Sequence, residues 1–423
     1  MQKRIIFHID VNNAFLSWSA VLLLLQGYKK DIRKIPSIIA GSEKERRGIV
    51  LAKSPVAKKY KIVTAETVYS AKRKCKYLEV YPPNYKWYYK KSKELMNYLS
   101  TYSPVLEQYS VDECFLDMTG MNYLYNNYID LAYKIKNEIK KKFGYTVNIG
   151  IGNNKLCAKM ASDFEKPDKV HTLFENEIEE KLWPLPVSDL FMVGKKTASK
   201  LKELNINTIY DLKEADDEVL YKYFKNQSKY LKEASLGIDN SKVEVRKEKS
   251  SSISTTETLS YDTDDKDKLK EILFRQTEEV TRQLRHQKQY ANTVAVIFKN
   301  KYFKNYSAQM KLLNTTDNTK EIYKAVIKVF ENNYKEDPIR LIGVRLSGLT
   351  DNKDIQLTIF DNNEIKTKEN DIQKMIDSIN EKFGSGMIAP ASIKKIGKTK
   401  KTSWEIINAN KNNEKNVKNP WFY

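Results

Sequence analysis

Apolar and polar positions alternate with a period of two in IIFHIDV (5–11). Ile5, Phe7, Ile9 and Val11 fall on one face and Ile6, His8 and Asp10 on the other, the pattern of a strand. A helical stretch follows to about Gln26 and is closed by Gly27. Residues 28–87 are mixed, basic and rich in turns. The period is helical in YKWYYKKSKELMNYLS (85–100) and in YIDLAYKIKNEIKKKFG (128–144). In the latter, Ile129, Ala132, Ile135, Ile139 and Phe143 share a face and Gly144 caps the end. Between these helices, 105–118 reads as a strand region carrying acids. YTVNIGIG (145–152) is a strand, and 153–169 a helix that opens on capping Asn residues and stops at Pro167.

The order strand, helix, insert, strand pair, helix, strand predicts an α+β layer, a sheet with helices on one face in a ferredoxin-like arrangement. Residues 173–240 read as all-helical, with 190–212 forming two short helices that flank a Gly turn. The polar, Ser-rich stretch 243–257 reads as a linker. A second α+β unit follows: helix 266–286, strand 292–298, a basic strand region 301–313, helix 319–334 and strand 339–349. The tail from 351 is polar and rich in Lys and Asn, partly disordered, with a helical patch near 371–383. The fold class is therefore α+β multidomain, and 423 residues allow two to four domains.

Charge narrows the partners. The balance of 74 Lys+Arg against 54 Asp+Glu gives +20, which favours a polyanion, nucleic acid before an anionic membrane. Three scattered cysteines (Cys75, Cys114, Cys157) fit a reducing compartment, and with no CxxC pair and scattered histidines they argue against zinc. The longest apolar run, 20–25, is too short to span a membrane, and no secretory leader opens the sequence. The expectation is a cytoplasmic protein.

The chemistry centres on YSVDECFLDMTG (109–120). Val111, Cys114, Phe115, Leu116 and Met118 read as a buried strand, yet Asp112 and Glu113 sit side by side within it. A lone acidic pair is ordinarily a solvated turn. Successive side chains of a straight strand point to opposite faces, so the two acids converge only if the strand bends. Brought together with Asp10, they would repel unless cations bind, and two Mg²⁺ ions with a phosphate substrate satisfy that demand.

HIDVNNAFLSW, YSVDECFLD and IGIGNNKLCAKMASDFEKPD resemble, in order and spacing, the motifs of Y-family (DinB/UmuC-like) translesion DNA polymerases of bacterial type, over roughly 1–350. The resemblance implies a palm (1–12 and 83–172), fingers (13–82), a helical thumb (173–240), a linker (241–250), an α+β little finger (251–350) and a tail (351–423). It implies that Asp10, Asp112 and Glu113 are catalytic and hold two Mg²⁺ ions, with Glu113 supporting deprotonation of the primer 3′-hydroxyl, and it leaves Asp117 a structural role. Phe15 would pack under the sugar and reject a 2′-hydroxyl. Lys58 and Lys166 would contact the triphosphate. The chain departs from the family pattern in Asn12 (an acid is common), in Ala14 (often aromatic), and in Pro55 and Lys58 (commonly Tyr and Arg).

The resemblance further implies that Gly194 and Lys195 bind a DNA phosphate. Arg282, Arg285, Lys299, Lys301 and Lys304 would line the backbone. Gln356, Leu357, Ile359 and Phe360 would dock on the sliding clamp. The implied partners are primer–template DNA, dNTP and the clamp, with no membrane, and the implied state is a monomer. The function that the resemblance implies is template-directed, low-fidelity damage bypass. A non-catalytic clamp- and DNA-binding repair scaffold would have no use for three acids and Phe15 together, and a two-metal nuclease would not require the sugar-excluding ring.

Overall fold

The computed structural model describes residues 4–43, 46, 48–245, 249–352, 372, 375, 378 and 379. It divides into two compact units, Met1–Ala40 with Val50–Lys247, and Gly41–Ile49 with Glu248–Tyr423.

The first unit holds strands β1 (Ile6–Val11), β2 (Ser37–Ala40), β3 (Val50–Lys53), β4 (Glu79–Tyr81), β5 (Leu106–Gln108), β6 (Glu113–Asp117), β7 (Val147–Gly152) and β8 (Val170–Leu173). Two sheets result, a five-stranded one in the order β5-β6-β1-β7-β8 and a three-stranded one in the order β3-β2-β4. β1 is central, antiparallel to β6 and β7, and all six of its residues are buried. Its odd-numbered positions Phe7, Ile9 and Val11 join Cys114, Leu116, Ile149 and Ile151 in one core. Helices Ala14–Leu25, Tyr85–Leu99 and Tyr128–Phe143 cover that face through Trp18, Leu95, Leu99, Ile135 and Ile139.

The other face is not bare, contrary to the expectation of helices on one side only. Helix Lys155–Asp163 packs on it, and Ile6, Phe115 and Ala158 form a small core there. Glycine makes the approach possible. A Cβ at Gly150 would lie 2.0 Å from the Ala158 carbonyl oxygen, and one at Gly152 would lie 2.7 Å from the Ala158 nitrogen. Asn154 caps this helix by accepting from Cys157 N. It ends at Asp163, before Pro167 is reached, so that 164–169 forms a turn into β8.

The helical stretch beyond β8 contains Ile178–Lys181, Lys195–Glu203, Ile209–Glu214, Asp217–Phe224 and Gln227–Ser235 around Leu201, Ile209, Leu212, Leu220 and Leu231. Gly194 is the residue before Lys195–Glu203, not the turn between two helices. That turn is 204–208, where Asn205 takes the left-handed conformation (φ 62°) and Thr208 caps the next helix. The expected linker at 241–250 is fixed in its first half. Val243 is buried against Ile6, Phe115 and Ala158, and Glu244 N donates to Glu107 Oε2 at 2.9 Å.

The second unit is a four-stranded antiparallel sheet in the order β11-β10-β12-β9, built from β9 (Ser252–Thr263), β10 (Tyr290–Asn300), β11 (Asn305–Thr316) and β12 (Ile339–Thr350). Helices Lys266–His286 and Thr319–Asn333 are amphipathic and bury Leu269, Leu273, Val280, Ile322, Val326 and Phe330 against it. β9 absorbs residues 252–257, which the Ser-rich composition had suggested were linker.

Candidate active site

The β1–β6 register sets Asp10 directly opposite Glu113, and the β1–β7 register sets it opposite Asn148. The three side chains therefore form a row on the glycine-bearing face of the sheet. Asp112 reaches the same place from the β5–β6 hairpin turn, since β6 begins only at Glu113. Tyr109 N and Ser110 N both donate to Glu113 O (3.0 and 3.1 Å), which closes the turn. Ser110 Oγ accepts from Glu113 N at 3.0 Å and donates to Asp112 Oδ1 at 2.6 Å. This is the bend that the adjacent acids require. It leaves Val111 on the outside, 45% exposed, where the apolar pattern had placed it in a buried strand. Asp117 accepts from Thr119 N at 2.9 Å and caps the strand end.

Two lysines engage the acids. Lys159 Nζ lies 3.0 Å from Glu113 Oε1, and Lys166 bridges Asp10 and Asp163, the latter at 2.7 Å. Burial works against the charge on Glu113, but the Lys159 ammonium outweighs it and holds the carboxyl well below the ordinary carboxylate range. His8 is fully buried, and its Nε2 sits 3.8 Å from Glu113 Oε2, too far for a hydrogen bond. Burial also works against the charge of Lys166, yet Asp10 and Asp163 raise it above the ordinary lysine range. Asp112 is the contrast. Burial pushes its carboxyl up, Ser110 opposes, and the charges of Asp10 and Glu113 push it up further. Among the described residues no ion pair neutralises Asp112, and no three His, Cys, Asp or Glu side chains make a ready cation cage. The donor set of hard carboxylates nonetheless suits Mg²⁺, and a half-buried acid facing two other acids is where a cation lowers the energy most.

Phe15 stands on the first turn of the helix after β1 and stacks on Tyr88. Lys58 and Pro55 are exposed on the short helix Pro55–Lys59, and no hydrogen bond or ion pair joins Lys58 to the acids among the described residues. Gly194 and Lys195 are exposed at the start of Lys195–Glu203, beside a cavity lined by Ser188, Val193, Ala198 and Lys202. A Cβ at Gly194 would meet nothing within 4 Å, so packing does not demand its glycine. Arg282 and Arg285 are half-buried and engaged inside their own unit, by Glu279 at 2.9 Å and by the Asp317 carbonyl at 2.7 Å. Lys301 and Lys304 are exposed in the β10–β11 hairpin. Gln356, Leu357, Ile359 and Phe360 lie outside the described residues. Sequence reading passed over His8, Lys159 and Asn148. His8 and Lys159 fall at i−2 and i+4 from Asp10 and Lys155, positions that read as ordinary strand and helix surface.

The impB/mucB/samB family model matches residues 9–163, the C-terminal domain of that family matches 250–359, and the IMS family HHH motif matches 175–206. The DNA polymerase IV of Clostridium acetobutylicum is 43% identical over 390 residues, covering 91% of this chain and 97% of that protein. DNA polymerase IV 1 of Bacillus subtilis is 32% identical over 408 residues, covering 95% and 97%. Among solved structures, a Y-family DNA polymerase chimera superposes with a TM-score of 0.69 at 22% identity, covering 82% of this chain and 100% of that one. The chain belongs to the impB/mucB/samB family, the DinB-like Y-family DNA polymerases. It is a DNA-directed DNA polymerase of the damage-bypass type, and the scaffold alternative is not favoured. No helix among the described residues is long and apolar enough to cross a membrane.

Proposed function

We propose that Asp10, Asp112 and Glu113 form the centre at which this chain transfers a deoxynucleotide to a primer 3′-hydroxyl. The observation that carries the reading is the register pairing of Asp10 with Glu113, with Asp112 delivered beside them by the hairpin turn. The three carboxylates would hold two Mg²⁺ ions, which when bound supply the charge that activates the 3′-hydroxyl and neutralises the leaving pyrophosphate. Glu113 would hold the ion on the primer side, whose charge supports deprotonation of the 3′-hydroxyl. Lys166 sits on Asp10 and is one side-chain swing from a triphosphate bound there. Phe15, braced by Tyr88, closes the sugar side to a 2′-hydroxyl. Lys58 adds a point charge on the fingers side.

The boundaries that fit this reading are a palm at 1–12 and 83–172 around the five-stranded sheet, fingers at 13–82 and a thumb at 173–240. The little finger at 251–350 is the four-stranded sheet with its two helices. Gly194 and Lys195 bind a backbone phosphate through the helix start, without reading sequence. The segment 356–360 docks on the sliding clamp. Primer extension on undamaged and on lesion-bearing templates tests the reading. Extension past the lesion is expected, and no extension on either template would overturn it.

A further inference from the structure

Asn12 and Asn148 have no part in the chemistry above, yet they are among the most fully bonded side chains near it. Asn148 is completely buried on β7 and Asn12 is 7% exposed just past β1. Asn148 Nδ2 donates to the carbonyls of Ser162 and Glu165 at 3.0 and 2.6 Å. Its Oδ1 accepts from Asn12 Nδ2 at 3.0 Å and from Lys169 N at 3.3 Å. Asn12 Oδ1 accepts from Asp168 N at 2.9 Å. Because backbone carbonyls can only accept and backbone N–H groups only donate, both amides have one possible orientation. Their bonds converge on Ser162, Glu165, Asp168 and Lys169, which bracket Lys166 on both sides. Asp168 is held there in a left-handed conformation (φ 63°), and its carboxylate takes Lys136 and Lys140 at 2.8 Å each.

We infer that Asn12 and Asn148 are positioning residues, an amide clasp that fixes the 164–169 turn and so holds the Lys166 ammonium where the nucleotide triphosphate binds. An acid at position 12 could still accept from Asp168 N but could not donate to Asn148 Oδ1, and it would add a carboxylate beside Asp10. The inference rests on the triphosphate role proposed for Lys166. It goes beyond that role by naming what sets the lysine's place.

The test compares dNTP affinity on a 3′-dideoxy-terminated primer–template with the turnover rate at saturating dNTP on an extendable one. The proteins are wild type, Asn12→Ala, Asn12→Asp, Lys166→Ala and Asn12→Ala/Lys166→Ala, each checked for an unchanged melting profile. Asn12→Ala should weaken dNTP binding about tenfold with the saturated rate within about threefold, and Asn12→Asp should weaken it less. In the Lys166→Ala background, Asn12→Ala should add no more than about twofold. Lys166→Ala weakening binding while neither Asn12 variant does would overturn the clasp alone. Equal loss from Asn12→Ala in both backgrounds would overturn it as well. Lys166→Ala leaving affinity unchanged would overturn the triphosphate role itself and the clasp with it. If Asn12→Ala does not fold, Asn12→Asp and an added Asn12→Asp/Lys166→Ala carry the same comparison.

Discussion

The ring of Phe15 lies flat on that of Tyr88, with centroids 4.6 Å apart and planes 10° from parallel, and Tyr85 meets its edge at 6.1 Å. Such stacking contributes about 0.5–1.5 kcal/mol beyond burial and leaves the ring little freedom to retreat. Phe15→Ala should therefore admit ribonucleotides, with discrimination against the 2′-hydroxyl falling on the order of 100-fold and deoxynucleotide turnover changing far less. Parallel rNTP and dNTP kinetics check it, and unchanged discrimination would remove Phe15 from the sugar side.

Tyr88 gives a second handle on the same ring. Its hydroxyl is 2.6 Å from Ser19 Oγ, which anchors it in the core. Tyr88→Ala should loosen Phe15 without removing it, giving intermediate discrimination and a stability loss of about 3–5 kcal/mol in urea unfolding. Full discrimination in a folded Tyr88→Ala variant would show that the ring needs no brace.

Gly150 faces the backbone of helix Lys155–Asp163 so closely that any Cβ must displace it. Gly150→Ala should cost about 1–3 kcal/mol and shift the helix that carries Lys159, lowering both stability and turnover. A urea midpoint equal to wild type would contradict the packing described for this face.

Asp168 supplies a pH test. Burial raises its carboxyl, but Lys136 and Lys140 outweigh burial and hold it below the ordinary value of 3.8. A depressed folded-state value means that the stabilisation is present above the unfolded value and is lost as pH falls through the folded one. Asp168→Asn should lower the unfolding free energy by about 1 kcal/mol near pH 7, since Lys140 is well exposed, and the gap should narrow as the pH falls below the ordinary carboxylate value. Urea unfolding across that range checks it, and a gap that does not narrow with acidity would contradict the ion-pair assignment.

The long periodic segments were legible in the sequence because one burial pattern dictated each. Helix Tyr128–Phe143 with its Gly144 cap and the central strand β1 fall where the pattern places them. The acids Asp10, Asp112 and Glu113 were legible because carboxylates amid apolar residues call for an explanation, and the bend between Asp112 and Glu113 followed from side-chain alternation. What escaped depends on register and on close approach. Nothing local tells that Gly150 and Gly152 receive a helix, that Lys159 turns back to Glu113, or that Asn148 lies across from Asp10. The Ser-rich polarity of 252–257 concealed a strand because one face of β9 is open to solvent, so its apolar signal is halved.

Asp112 is the acid that separates a catalytic centre from an acidic turn. Among the described residues it lacks the lysine that each of its neighbours has, and burial, with the charges of Asp10 and Glu113, pushes its carboxyl up. Single-turnover primer extension by Asp112→Asn, with primer–template affinity measured alongside, is the direct test. Extension should fall by at least about 1000-fold while DNA affinity stays within about twofold. An Asp112→Asn protein that binds DNA normally and extends primers at a rate near wild type would contradict the assignment of the three carboxylates as the catalytic centre.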